Sequence, residues 1–403
     1  MSERIDSAVI LGVYGKGNFG DEALLEVVAD DVRQVLPSCE LYVFCSGPEA
    51  VRERFRFHAL TRTPATDFRR KLNIVRRSRL VIVGGGTLLC DHGGGLKDVT
   101  AVVTFFFWLW LARLFGVPTV LYGQGFGPAR GRFIRLGLWL VRFACTEVTV
   151  RDAASYDLLV GIAGPRTRFQ LGADPVAVTD RFLPGKVRQR ADPVLAARID
   201  ALRPFVVLAV RYPKLDSLDD SREQLEAVGT TAAALCKHAG VNVVLFPTHL
   251  SDEFVDDRPI MDLLEGMLLA HGVSSSRIAR ASWRSLDDAA YWVQSAAMVF
   301  GDRLHAMLVA ALSHVPVAGV AVESKISGCL ADLFQKKPLA VVLAPGDVST
   351  VRAQRLVQDL WDRRGSDPVL YSRLLADYRM RRKANIAAIE RALRLTVVTR
   401  ENA

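Results

Sequence analysis

Long apolar runs are scarce in this sequence. The longest, Ala101 to Ala112, is followed by Arg113, Gly116 and Pro118, so it falls short of the roughly 20 residues that a membrane-spanning helix needs. The first residues, MSERID, contain no apolar signal core either. We therefore expect a cytoplasmic protein in which the run at 101–112 forms a buried or interfacial helix.

Cysteine pairs and the common nucleotide or metal motifs are also missing. The six cysteines are scattered and no two form a Cys-x-x-Cys pair, which argues against a disulfide framework and fits a reducing compartment. The sequence has no Gly-Lys-Ser/Thr loop, no His-Glu-x-x-His pair and no Asp-x-Asp pair. We predict that the protein requires neither a metal ion nor a bound cofactor.

Acidic residues are outnumbered, 43 against 52 basic ones, for a formal net charge of +9. Ten of the bases lie between Arg52 and Arg79, where only Glu53 and Asp67 oppose them. Nucleic acid, an anionic membrane, a phosphorylated substrate and a solvated basic face are all compatible with this basic stretch. No nucleic-acid module is recognisable, so we expect no nucleic-acid partner. The aromatic stretch Phe105 to Trp110 favours peripheral attachment to the inner face of a membrane.

Apolar strand-like runs, by contrast, are abundant, and helical patterns follow them. They lie at 8–14, 40–45, 80–83, 119–122 and 147–150, and again at 205–210, 241–246, 278–281, 297–300, 315–320 and 339–343. Continuous apolar strands that alternate with helices are typical of parallel sheets covered on both faces.

The domain organisation follows from this alternation. A polar connector at 183–204 separates the two halves, and 403 residues suit two domains. We predict an α/β protein of two Rossmann-like domains with a cleft between them. The N-terminal domain would cover residues 1–185, the C-terminal domain would cover 203–366, and a helix at 367–395 would pack back on the N-terminal domain.

The segment from Gly15 to Glu22 formally matches the dinucleotide pattern Gly-x-Gly-x-x-Gly. Its helix, however, begins with two carboxylates that would repel a pyrophosphate. The next strand ends in Cys45 and Ser46, without a carboxylate for a ribose. These observations argue against a nicotinamide or flavin cofactor.

Polar residues at the ends of the first strands suit a saccharide better. Asn18, Asp21 and Glu22 can hydrogen-bond hydroxyls, and the turn with Gly85 and Gly86 lets the backbone approach a ligand closely. The alternative is structural: Asp21 caps a helix and the glycines make turns. Arg151-Asp152 and the Gly172 to Pro175 segment are similar cases that could equally be a salt bridge and a turn.

A cation and an imidazole stand close together in the second half. Arg303 and His305 follow an apolar strand and begin a helix, where unpaired N–H groups already favour anions. Arg211 also ends a strand and could face the same ligand. These residues suit an anionic substrate that undergoes proton transfer. The alternative is that Arg303 pairs with Asp302 and His305 packs in the interior.

Together these segments resemble the polysaccharide pyruvyl transferase family. The matching segments are GKGNFGDEA at 15–23, VGGG at 83–86, YGQGFGP at 122–128, VRD at 150–152, GADPV at 172–176, and RLH at 303–305 followed by Val315-Pro316 and Lys325. The resemblance implies a fold similar to two-domain GT-B glycosyltransferases with the active site between the domains. It also implies transfer of the enolpyruvyl unit of phosphoenolpyruvate onto two sugar hydroxyls as a cyclic ketal.

The resemblance further implies the donor-binding residues. Arg303, Leu304 and His305 would hold phosphoenolpyruvate, with Arg211 as the second arginine and Lys325 nearby. The family pattern has a tyrosine three residues before this lysine, whereas this chain has Val322. That difference leaves tyrosine-dependent contacts, and the role of the lysine, open.

The predicted function is therefore a pyruvyl transferase that acts on a saccharide or lipid-linked saccharide and uses phosphoenolpyruvate as co-substrate. Arg303 and His305 would be catalytic, with His305 as the acid or base. Asn18, Asp21, Glu22, Gly85 and Gly86 would contact the acceptor. A GT-B-like glycosyltransferase with a nucleotide-sugar donor is the main alternative, and a non-catalytic saccharide- or membrane-binding protein is a third.

Overall fold

The computed structural model describes residues 6–91, 95–211, 218–250, 256–322, 324–335, 339–344, 347–348 and 350–401. Its strands are β1 (Ser7–Leu11), β2 (Glu40–Cys45), β3 (His58–Thr61), β4 (Leu80–Leu89), β5 (Thr119–Phe126), β6 (Glu147–Val150), β7 (Phe169–Leu171), β8 (Phe205–Ala209), β9 (Asn242–Leu245), β10 (Ile278–Arg280), β11 (Met298–Gly301), β12 (Val317–Val320) and β13 (Ala340–Leu343).

The α-helices alternate with these strands. They are α1 (Phe19–Val35), α2 (Pro48–Phe55), α3 (Phe68–Arg77), α4 (Leu96–Leu114), α5 (Arg132–Ala144), α6 (Ala153–Ala163), α7 (Pro184–Arg190), α8 (Pro193–Ala201), α9 (Leu218–Ala239), α10 (Arg258–Ala270), α11 (Leu286–Gln294), α12 (Leu304–Ala311), α13 (Ser324–Phe334), α14 (Val351–Asp362) and α15 (Pro368–Glu401).

The chain divides into two compact units. The first contains Met1–Lys16, Asp21–Pro175 and Tyr378–Ala403, and the second contains Gly17–Gly20 and Val176–Asp377. Each unit has one parallel sheet, in the order β3-β2-β1-β4-β5-β6-β7 and β10-β9-β8-β11-β12-β13. The predicted α/β class with two Rossmann-like sheets is confirmed.

Apolar side chains on both faces explain why these strands read as continuous hydrophobic runs. Every residue of β1, β5, β8 and β11 is buried, as expected when helices cover a parallel sheet on both sides. In the first unit, the core between the sheet and the helices includes Val81, Leu121, Trp108 and Leu138. The sheet can therefore present only its strand ends to a ligand.

The boundaries differ in detail from the predicted domains. Val176 and the residues after it belong to the second unit, whereas the sequence placed the boundary at residue 185. The short 3-10 helix Val176–Val178 packs against α12, and α7 packs against α11. The supposed connector at 183–204 thus contains α7 and α8, each of which begins with a proline in its first turn.

The C-terminal helix α15 is shared between the units, because its residues from Tyr378 onward cluster with the first. The Tyr378 hydroxyl donates to the backbone oxygen of Arg151 at 3.3 Å. Asn385 donates to the backbone oxygen of Ala173 at 2.9 Å. These contacts attach the end of the chain to strand ends of the first sheet.

Candidate functional site

The carboxyl ends of β8, β9 and β11 bring charged side chains together in the second unit. Asp257 is fully buried and accepts from the backbone N–H groups of Thr248 and His249, each at 2.9 Å. Nη2 of Arg303 donates to both oxygens of the same carboxylate, at 2.7 and 2.8 Å. Asp257 therefore fixes the guanidinium in one orientation at the start of α12.

Arg303 keeps hydrogen-bonding capacity beyond this ion pair. Only 12% of its side chain is exposed, and its Nε has no hydrogen-bond partner among the described residues. The alternative that Arg303 pairs with Asp302 is wrong, because Asp257 is its ion-pair partner. The Asp302 carboxylate instead accepts from the backbone N–H of Arg211 at 2.7 Å. Burial raises the pKa of Asp302 to about 6.

His249 lies beside this ion pair and is held neutral. Nη2 of Arg303 is 3.1 Å from its Nδ1. Burial lowers the pKa of His249 to about 4, and the positive charges of Arg303, Arg211 and Lys325 contribute to that shift. Since an arginine can only donate, Nδ1 must accept, and the proton of the neutral ring is on Nε2. His249 is thus a neutral hydrogen-bond donor among cations.

His305 lies in the first turn of α12 and packs against Gly20. A Cβ added to Gly20 would be 2.1 Å from His305 Nδ1, so glycine is required for the imidazole to occupy this position. The backbone N–H of Gly20 donates to Asn18 Oδ1 at 3.0 Å. The loop and the helix start therefore fix the position of the ring.

Asn18 belongs to this second-unit group and not to the first domain, where the sequence placed it. Residues 17–20 cluster with the second unit, and Asn18 forms an isolated antiparallel bridge with His249. The backbone N–H of Phe19 donates to Thr248 O at 2.8 Å, and its ring packs edge-on against Phe246. These contacts explain the difference from the prediction.

Leu304 and Lys325 contribute differently from each other. The Leu304 side chain is buried, so only its backbone can face a ligand. Lys325 lies in the first turn of α13 and is partly buried. Its positive charge contributes to the lowered pKa of His249. Val322, at the position of the family tyrosine, is 40% exposed.

The predicted acceptor residues of the first unit lie in the first turn of α1 and within β4. Glu22 is buried and accepts from the Gly15 N–H at 2.8 Å, so it holds its own loop. Asp21 is partly buried. Burial lowers the pKa of Lys16, and the negative charge of Asp21 offsets part of that shift. Asp21 therefore remains the more accessible of the two carboxylates.

The glycine turn of the first unit is part of strand β4. Gly85 and Gly86 have φ values of 56° and 88°, which favour glycine, and the pairing with β5 shifts its register after Gly86. A Cβ at Gly85 would meet Leu24 at 2.5 Å, whereas one at Gly86 would meet only Leu24, at 4.0 Å. Gly86 therefore leaves the more open approach to the backbone.

From the sequence, Arg151 could either contact a ligand or form a salt bridge. Its guanidinium is buried and pairs with Asp152 at 3.2 Å and Asp174 at 3.7 Å. It also donates to Thr87 Oγ1 at 2.8 Å. The structural interpretation, a salt bridge at a strand end, is the one that the contacts favour.

Sequence reasoning missed His249, Asp257 and the role of Gly20. The polar pair Thr248-His249 follows the apolar run at 241–246 after Pro247, which is the same kind of signal that identified Arg211 and Arg303. Asp257 gave no comparable signal, because it lies at the N-cap of α10 and meets Arg303 only through the fold. Within the described residues, no group of three or more His, Cys, Asp or Glu side chains is placed to hold a metal ion.

Solved structures of two-domain UDP-sugar proteins share this architecture. HepE from Anabaena, in complex with UDP and glucose, has a TM-score of 0.57 at 12% identity, over 98% of this chain and 99% of that chain. The UDP-GlcNAc 2-epimerase from Methanocaldococcus jannaschii has a TM-score of 0.58 at 10% identity, over 87% and 92%. At such low identity the likeness shows the fold alone, which is of the GT-B type.

The amino-acid sequence, unlike the fold, shows which family the chain belongs to. The sequence model for polysaccharide pyruvyl transferases matches residues 18–324, which is most of the chain. The chain therefore belongs to the polysaccharide pyruvyl transferase family, as the motifs predicted. A comparison with curated proteins finds no match.

Proposed function

We propose that this enzyme transfers the enolpyruvyl unit of phosphoenolpyruvate onto two hydroxyls of a saccharide, forms a pyruvate ketal and releases phosphate. The observation that carries the proposal is Arg303 at the start of α12, which Asp257 orients and which lies 3.1 Å from His249. The positive charges of Arg211 and Lys325 also contribute to the lowered pKa of His249. A donor with a carboxylate and a phosphate needs several cationic contacts, and arginine supplies them bidentately without a metal.

Each donor-binding residue would have a distinct part. Asp257 holds Arg303 by one nitrogen, which leaves the Nε edge of the guanidinium for a carboxylate or phosphate oxygen. The Nε2–H of His249 adds a neutral donor. The backbone N–H of Leu304, in the first turn of α12, adds another at a positive helix end.

The chemistry needs one acid/base group close to the donor. One hydroxyl loses its proton to a base and bonds to C2 of the enol, while C3 gains a proton from an acid and becomes a methyl group. The second hydroxyl then displaces phosphate from C2, and its proton leaves with the phosphate or through a base. His305 is the side chain that we propose for these proton transfers.

We propose that Asp21, Glu22, Gly85 and Gly86 of the first unit contact the acceptor, whereas Asn18 lies beside His249 in the second unit. Asp21 and the Gly86 backbone are the strongest members, because Glu22 is buried and already holds Gly15. The acceptor would be a saccharide carried on a lipid, and the enzyme would work at the inner face of the membrane.

Two measurements test the function. Thermal-shift titrations with phosphoenolpyruvate, UDP and GDP should show selective stabilisation by phosphoenolpyruvate, because ligand binding to the native state raises its stability. With a suitable acceptor in EDTA, phosphate and pyruvylated saccharide should form in equal amounts. An absolute requirement for Mg²⁺ or Mn²⁺, or sugar transfer from a nucleotide donor without use of phosphoenolpyruvate, would contradict the proposal and favour a glycosyltransferase.

A further inference from the structure

Helices α4 and α5 form part of the outer layer of the first unit. They connect β4 to β5 and β5 to β6, which are neighbouring parallel strands, so right-handed crossovers place both helices on the same face of the sheet. They pack closely: a Cβ added to Gly137 of α5 would be 3.0 Å from Val102 of α4. The two helices therefore present one continuous outer surface.

Large apolar side chains line this outer surface at helical spacing. Those exposed to solvent by 39% to 77% form what we call the α4–α5 patch: Val103, Trp110, Leu114, Leu136, Trp139 and Phe143. The spacing of three, four or seven residues keeps each set on one face of its helix. None of the helices in the described part of the chain combines the length and apolar character needed to span a bilayer.

The charged side chains of α5 are all basic. Helix α5 carries Arg132, Arg135 and Arg142 and has no acidic residue. The Arg142 guanidinium lies 5.6 Å from the Trp139 ring and 5.1 Å from the Phe143 ring. Arginines interleaved with aromatic and aliphatic side chains are typical of helices that lie in a membrane interface.

The neighbouring helix α3 extends the same surface. Phe68 is 39% exposed and its ring lies 6.2 Å from that of Phe107 on α4, and Arg69 and Arg70 are exposed beside it. Lys71, by contrast, is buried and donates to the backbone oxygen of Thr61 at 3.0 Å. Arg69 and Arg70, from the α3 part of the basic stretch at 52–79, therefore flank the patch, whereas Lys71 serves the fold.

We propose that the α4–α5 patch docks the enzyme on an anionic lipid bilayer, with the aromatic side chains in the interface and the arginines on lipid phosphates. Charge complementarity selects this occupant, because a second copy of the chain on the same face would bring the arginines of α5 against each other. The inference deepens the proposed function, since it gives a lipid-linked acceptor a surface on which to meet the enzyme.

Co-sedimentation with vesicles tests the docking surface. The wild-type protein should bind vesicles that contain phosphatidylglycerol, bind vesicles of phosphatidylcholine weakly, and lose affinity as ionic strength rises. Leu136→Glu should weaken binding at least about tenfold, because it places a carboxylate in the apolar interface. Leu263→Glu on α10 is the matched control, since Leu136 and Leu263 are 49% and 52% exposed, and it should bind as the wild type does.

Three outcomes would overturn the proposal. These are no binding to anionic vesicles at low ionic strength, equal loss in both leucine variants, and a concentration-dependent dimer that Leu136→Glu abolishes. Thermal shift with phosphoenolpyruvate on the same variants separates this inference from the proposed function. Failure of docking would leave the donor response intact, and failure of the donor response would leave vesicle binding intact.

Discussion

The strand ends of the two sheets differ in how they balance charge. In the first unit, Arg151 is buried between Asp152 and Asp174, so its charge is more than compensated. In the second unit, the buried carboxylate of Asp257 accepts both from Arg303 and from a backbone N–H group. The positive charges of Arg211 and Lys325 also help to lower the pKa of His249.

Arg151 and Arg303 show that two arginines at strand ends can have different surroundings. Both arginines follow a buried strand and precede a helix, so their local sequence settings are alike. What separates them is the surrounding charge and the 2% against 12% exposure of the side chain. If that difference separates a structural arginine from a functional one, variants of the two arginines should behave differently.

The largest effect is expected at His305. His305→Ala should lower turnover by about 100- to 10,000-fold, the usual contribution of a general acid or base, while the affinity for phosphoenolpyruvate changes little. Steady-state kinetics and calorimetric titration measure the two quantities. His271→Ala is the control, because His271 contacts Thr230 on the same unit at 3.1 Å. Near-normal turnover would remove His305 from the mechanism.

The next prediction compares the two arginines directly. Arg303→Lys should weaken phosphoenolpyruvate binding by about 10- to 100-fold, because an ammonium cannot reproduce the planar fork that Asp257 orients. Arg151→Lys should leave donor affinity unchanged and instead lower stability by about 1–3 kcal/mol, through loss of buried hydrogen bonds. Calorimetry and denaturant unfolding measure both. The comparison fails if the two variants lose donor affinity equally.

Strand positions were predictable from sequence because buried parallel strands need continuous apolar runs. All six predicted strands of the second unit are present, and β2 and β6 have the predicted bounds. Strands β3 and β7 were missed because they are short edge strands without such a run. Helices α7 and α8 were missed because seven and nine residues give too little periodicity to read.

The site was predictable only where strand ends and family motifs coincide, as at Arg211, Arg303 and His305. Their partners come from distant parts of the sequence. Asp257 is 46 residues from Arg303, and Gly20, which contacts the His305 imidazole, lies near the start of the sequence. Asn18 was placed with the wrong unit because the longer segments before Gly17 and after Gly20 belong to the first. No local pattern encodes these contacts.

A smaller effect is expected at Gly20. Gly20→Ala would place a methyl group in the space of the imidazole, so the ring must move. We expect turnover to fall by about 10- to 100-fold, since displacements of about 1 Å are costly in catalysis, with donor affinity kept within a few fold. Gly266→Ala in α10 is the control, because nothing lies within 4 Å of its added Cβ. Unchanged turnover in Gly20→Ala would show that the position of the ring is unimportant.

The smallest effect is a proton taken up on donor binding. Without ligand, the pKa of His249 is about 4, so the ring is neutral at pH 5.5. A bound anion stabilises the imidazolium and therefore raises the pKa of His249. At pH values between the pKa of the free protein and that of the complex, binding is then accompanied by uptake of a fraction of a proton, up to about one. Affinity should accordingly rise as the pH falls through the bound pKa towards the free one.

Calorimetry at pH 5.5 in buffers of different ionisation enthalpy measures this uptake. The donor phosphate also titrates, so the informative quantity is the difference between the wild type and His249→Asn, whose amide oxygen can still accept from Arg303 but cannot gain a proton. The wild type should take up more protons per bound donor than the variant. Equal proton uptake by both proteins would mean that the charge of the bound donor does not affect the pKa of His249. Arg211, Arg303 and Lys325 would then bind a different ligand.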